Sequence, residues 1–106
     1  MKNKIFISGK ITGEHIYECT GKFLKAEIEV IRLGFDKPIN PLEIDGIHFG
    51  ISHDKAMELC LNKLKTCTHI YMLKDWEESE GAKIEHQYAK ENNIEIIYQK
   101  MQRVYE

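Results

Sequence analysis

A small doubly wound α/β domain is the fold this sequence predicts, on three observations. Four short segments readable as strands alternate with three segments of helical periodicity. A turn carrying two glycines, Gly9-Lys10-Ile11-Thr12-Gly13, directly follows the first run. The helical segments are bounded by cap and terminator residues, such as Ser52, Ser79, Gly34 and Asn92-Asn93. The order β-α-β-α-β-α-β favours parallel strands with right-handed crossovers and helices on both faces. The expected architecture is a three-layer sandwich, Rossmann-like or flavodoxin-like, around a mostly parallel sheet of four to five strands.

The first strand is read at Lys4-Ile5-Phe6-Ile7-Ser8, stopped by Gly9. From Ile16 the apolar residues fall at Cys19, Phe23, Ala26, Val30 and Leu33. Spacings of three and four make this one face of a long helix that Gly34 terminates. Phe35 to Ile39 is expected as a short second strand, closed by Asn40-Pro41. Leu42 to Ser52 has two glycines and no periodicity, so a long loop is expected there, and such loops often carry function. Ser52-His53-Asp54 supplies caps for a second helix with Met57, Cys60, Leu61 and Leu64 inward. The third strand spans His69 to Leu73, the third helix Ser79 to Asn92, and the fourth strand Ile94 to Tyr98. In the polar tail from Gln99, Met101, Val104 and Tyr105 are the candidates for docking.

The chain of 106 residues fits one domain, residues 1–106. A formal charge of −2 gives no general attraction to a nucleic-acid polymer or an anionic membrane, so any phosphate recognition must be local. No signal-peptide core or bilayer-spanning apolar stretch is present, and a cytoplasmic location is the expectation. Three cysteines without a CxxC pair read as reduced structural thiols. The five histidines show no metal-ligand spacing, so neither a metal nor another cofactor is expected.

Open α/β proteins place their sites at the carboxyl ends of strands, beside helix N-termini. Two stretches qualify. In the first turn, Ser8, Gly9, Lys10, Ile11 and Gly13 can cradle a phosphate, or simply turn the chain away from the strand. In Ser79-Glu80-Gly81-Ala82-Lys83-Ile84-Glu85, Ser79 caps the helix and Glu85 lies on the side of Gly81, Ala82 and Ala89. Small neighbours leave the Glu85 carboxylate reachable, and a reachable glutamate can serve as a nucleophile at an anomeric carbon. The plainer reading is a solvated helix glutamate. Trp76, in the loop before that helix, can stack on a nucleobase or cover the edge of the core.

Together these segments resemble the nucleoside 2-deoxyribosyltransferase superfamily, and more closely a small uncharacterised phage and bacterial family placed beside it. The resemblance rests on Ile5-Phe6-Ile7-Ser8-Gly9-Lys10-Ile11-Thr12-Gly13, on Asn40-Pro41, on Cys67 through Trp76, and on Ser79-x-Gly81-Ala82-x-x-Glu85. The related deoxynucleoside monophosphate N-glycosidases imply roles for these positions. Ser79 would contact a 5′-phosphate, Glu85 would attack the deoxyribose anomeric carbon, and the first turn would bind the nucleotide. The resemblance also implies a homodimer or larger homo-oligomer. Phe6 stands where that branch has a tyrosine. Its leaving-group aspartate aligns with Cys60, and Thr68 replaces another aspartate. Two functions are therefore expected in parallel: an N-glycosidase or deoxyribosyltransferase, and a nucleotide-binding protein without chemistry. A small protein-binding adaptor is the residual reading.

Overall fold

The computed structural model describes residues 3–48 and 50–100. Its elements are β1 (Ile5–Ser8), α1 (Ile16–Arg32), a 3-10 turn (Pro41–Glu43), α2 (His53–Leu64), β2 (His69–Met72), a second 3-10 turn (Trp76–Glu78), α3 (Glu80–Glu91) and β3 (Glu95–Tyr98). The result is a mixed α/β fold. Among the described residues the sheet has three parallel strands in the order β1-β2-β3.

Strand alternation divides the core into two layers. Ile5, Ile7, Tyr71 and Leu73 point to one face and meet Cys19, Phe23, Ala26 and Val30 of α1. Phe6, Ile70 and Met72 point to the other and meet Cys60 and Leu64 of α2 with Ala82 and Ala89 of α3. Because both faces are covered, β1 reads as an unbroken buried run, Ile-Phe-Ile-Ser.

The helix boundaries follow local chemistry. Ser52 and Ser79 each cap the helix that follows, accepting from the Lys55 and Ala82 amides through Oγ. At the end of α1, Gly34 takes φ +108° while the Gly34 and Phe35 amides donate back to Ile31 and Val30. That is the Schellman arrangement, which glycine enters without steric cost. Asn93, at φ 57°, ends α3 in the same way, with the Ile94 amide donating to the Ala89 carbonyl.

The expected strand from Phe35 to Ile39 does not form, and the sheet is smaller than the four to five strands anticipated. Only Ile39 reaches it, as a single parallel bridge beside Phe6. The Ile39 amide donates to the Ile5 carbonyl at 2.8 Å, and the Ile7 amide donates to the Ile39 carbonyl at 2.9 Å. On one side Pro38 has no N–H to extend the ladder. On the other, Asn40 accepts from the Leu42 amide through its side chain and turns the chain into Pro41. Phe35 instead packs against the α1 core layer and sets its ring edgewise to His69, centroids 4.8 Å apart. The tail candidates Met101, Val104 and Tyr105 lie outside the described residues. Among the described residues, no helix is long and apolar enough to cross a membrane.

Candidate functional site

The chain leaves β1 toward Ile39 on one side and returns through α2 to β2 on the other. That reversal opens a crevice at the carboxyl ends of the strands, where open α/β sheets bind ligands. A cavity of about 450 Å³ occupies it, within the size range of small-molecule sites. One wall is the first turn, with Gly9, Ile11 and Gly13; the opposite wall is the mouth of α3, with Ser79, Gly81 and Ala82. Ile47 and Ile51, from the long loop, and Met57 of α2 give it an apolar lining. Cys60 and Glu85 also border it.

Glu85 is the unusual residue. The inward stripe of α3 runs Ala82, Glu85, Ala89, so a carboxyl takes a place that helical periodicity reserves for an apolar side chain. Only 6% of the residue is exposed. The Ser8 hydroxyl, at the carboxyl end of β1 and fully buried, donates to Glu85 Oε1 at 2.5 Å. An O–H···O contact this short belongs to the charge-assisted class. Burial pushes the Glu85 carboxyl up to about 7, while hydrogen bonding from Ser8 and Cys60 holds it back from rising further. A carboxyl poised there exchanges its proton near neutrality and can act as base or nucleophile. The Cys60 thiol beside it is pushed far up, first by burial and then by the Glu85 charge, so it stays protonated.

The first turn is fixed from outside the cavity. Gly9 passes so close to β2 that a Cβ there would lie 2.6 Å from Leu73 Cδ1 and 2.9 Å from Leu73 Cβ, so only glycine fits. Lys10 does not line the cavity. Its amide donates to Asp75 Oδ1 at 3.1 Å and its ammonium lies 3.8 Å from Glu78. Lys22 of α1 ties this region together, donating to Asp75 Oδ2 (2.7 Å), Glu14 Oε1 (3.0 Å) and the Lys10 carbonyl (2.6 Å). Burial works against its charge, but the two carboxylates outweigh burial and raise its pKa.

The other anticipated residues divide. Ser79 lines the cavity while its Oγ accepts from the Ala82 amide at 3.1 Å. Gly81 lines it too, with Met57 Sδ 3.0 Å from where a Cβ would be. Trp76 stands apart from the lining. It stacks on His86 with centroids 4.2 Å apart, while His86 Nε2 and the Tyr98 hydroxyl share a hydrogen bond of 2.7 Å. In this arrangement Trp76 covers the edge of the core. The sequence reading did not include the loop and α2 residues Ile47, His48, Ile51, His53 and Met57 in the site. The aperiodic loop was the signal that would have found several of them. Lys22 gave a fainter sign, as a cation one turn after the inward-facing Cys19. Among the described residues, no group of three or more His, Cys, Asp or Glu side chains is disposed to hold a metal ion.

No curated protein and no solved structure matches this chain. A family model does, over residues 3–98, spanning every strand and helix from β1 to β3 and all the cavity's walls. The chain belongs to the family described as Domain of unknown function (DUF4406).

Proposed function

We propose that this protein processes a deoxynucleoside or its 5′-monophosphate, as an N-glycosidase or 2-deoxyribosyltransferase that uses Glu85 as nucleophile. The observation carrying this reading is the buried Glu85 carboxyl, fixed by Ser8 at 2.5 Å and bordering the cavity. The reading also takes the fold, finely, as a Rossmann-like doubly wound sandwich whose switch-point crevice is the active site.

In the proposed reaction the Glu85 carboxylate attacks C1′ of the sugar. The C1′–N bond breaks, its electron pair leaves with the base, and the base accepts a proton. A water, or the nitrogen of a second base, then attacks C1′ and displaces Glu85 as carboxylate, with net retention at the anomeric carbon. Ser8 orients the carboxylate. The substrate's 5′ end would face Ser79 and the amides of Glu80 and Gly81, which helix geometry leaves without intrahelical acceptors. Gly9, Ile11 and Gly13 would border the sugar. Lys10 and Trp76 enter this reading as supports, through Asp75 and through His86.

A second reading has its own observation. The thiol of Cys60, which stays protonated, stands beside Glu85 where the related N-glycosidases carry an acid. A cavity lacking that acid suits a protein that binds and senses a nucleotide without cleaving it. Incubation with a panel of nucleosides and nucleotides, with free base read by chromatography, separates the two. The enzyme reading expects base release that Glu85→Ala lowers by at least ~10³-fold, the scale of losing a covalent nucleophile. Base release unaffected by Glu85→Ala would remove Glu85 from the chemistry. Nucleotide-dependent thermal stabilisation without any release would leave the binding reading standing.

A further inference from the structure

One side chain outside the cavity grips the first turn at both ends. Ile11, Thr12, Gly13 and Glu14 line the cavity, and the turn closes where the Glu14 amide donates to the Ile11 carbonyl at 3.1 Å. Lys22, one turn of α1 beyond the buried Cys19, reaches behind it with a side chain only 23% exposed. An ammonium has three protons to donate, and each finds an acceptor. The Lys10 carbonyl stands just ahead of the turn, the Glu14 carboxylate at its end, and Asp75 in the loop after β2. Asp75 holds the N-cap position of the Trp76–Glu78 turn, yet its side chain makes no capping bond there. Its oxygens go instead to the Lys22 ammonium and the Lys10 amide. The Lys10 peptide unit and its neighbour are thus held by Asp75 at the N–H and by Lys22 at the carbonyl. Asp75 in turn leads along the chain to Ser79, on the opposite wall.

We propose that Lys22 is a positioning residue: through Asp75 and Glu14 it fixes the first turn against the mouth of α3, and so sets how tightly the cavity holds its ligand. The inference rests on the nucleotide reading for the ligand's identity, while the clamp itself does not depend on it. Neither Lys22 nor Asp75 lines the cavity, so their effect on a ligand passes through the walls. Electrostatics give the clamp its direction. Glu14 and Asp75 bind one nitrogen at 3.0 and 2.7 Å, which keeps two like charges within about 6 Å of each other. With the ammonium removed they repel, and the end of the turn moves away from the loop after β2. A wall already held in its ligand-bound place spares the ligand the cost of ordering it.

Lys22→Met keeps the stem of the side chain and removes its charge. In the free protein, hydrogen exchange followed amide by amide should speed up at least ~10-fold at Lys10 and Glu14. It should stay unchanged at Ile7, whose amide is bound to the Ile39 carbonyl. Calorimetric titration with each of the four deoxynucleoside 5′-monophosphates, in a Glu85→Gln background that prevents turnover, reads the ligand side. Lys22→Met should raise Kd at least ~10-fold. Asp75→Ala should do the same, and the two together should cost no more than the larger single loss, because they break one clamp. With Glu85 restored, the loss should fall on KM, and kcat should stay within about threefold because the Ser8–Glu85 contact is untouched. Unchanged exchange at Lys10 and Glu14 overturns the clamp whatever the ligand. Faster exchange with an unchanged Kd overturns the positioning role, and losses that multiply in the double variant overturn the shared clamp. A parent protein that binds no nucleotide refutes the nucleotide reading, and exchange then decides the clamp alone.

Discussion

At the scale of single residues, Glu85 links stability to pH in a direction that surface carboxylates do not. Its folded value of about 7 lies above the ordinary 4.5, so between those pH values the folded chain holds a proton that the unfolded chain has lost. Stability from this residue is complete below about 4.5 and is lost as pH rises through about 7. At 1.36 kcal/mol per unit, the loss is about 3 kcal/mol. Glu85→Gln keeps the shape and the acceptor for Ser8 while removing the charge. Denaturant unfolding at pH 8.5 should therefore find the glutamine variant more stable than wild type by about 3 kcal/mol, with the difference closing near pH 4.5. Equal stability at both pH values would show that Glu85 carries no burial cost. A group that destabilises its own fold at working pH is the pattern expected of a functional residue. Glu85 was legible in the sequence because small residues surround it on its helix. Its bond to Ser8 was not, since the two lie 77 positions apart and meet only through the packing of α3 on the sheet.

Among the elements, the same contrast separates what local chemistry dictates from what packing decides. The three helices fall where cap, periodicity and terminator place them, because each signal acts within a few residues. The strand expected at Phe35–Ile39 fails through neighbours that were in plain view: Pro38 removes a donor and Asn40 turns the chain. Trp76 is a different case. Nothing local tells that His86, ten positions on, turns its ring toward it. The junction of β1 with the first turn gives an element-scale prediction. Gly9→Ala would drive its methyl into Leu73 and push the turn away from β2. Overpacking of that kind costs about 1–3 kcal/mol. Thermal unfolding should show the loss, and in a Leu73→Ala background the same Gly9→Ala change should cost less, because Leu73→Ala removes Cδ1 and Cγ from the contact and leaves Cβ. A Gly9→Ala variant of undiminished stability would mean the turn is free to move.

For the whole molecule, the alternation of strand and helix made the layering legible, with α1 on one face of the sheet and α2 and α3 on the other. The place of the cavity was legible as well, because parallel strands alternating with helices bring loops and helix mouths together at one end of the sheet. What the sequence withheld was the cavity's composition, since its loop and α2 lining shares no period or motif with the first turn. The sheet's small size was withheld too, because one bridging residue satisfies the edge of β1 that a strand was expected to cover. The family match spans this whole arrangement without assigning it a reaction. The central claim is that Glu85 forms a bond to the sugar. Its most direct test is rapid acid quenching during turnover of a deoxynucleoside 5′-monophosphate, followed by mass analysis of the proteolysed protein. The account predicts a deoxyribosyl phosphate adduct on the peptide bearing Glu85, absent from Glu85→Gln. Undiminished turnover by Glu85→Gln, or an adduct on any other residue, would contradict it.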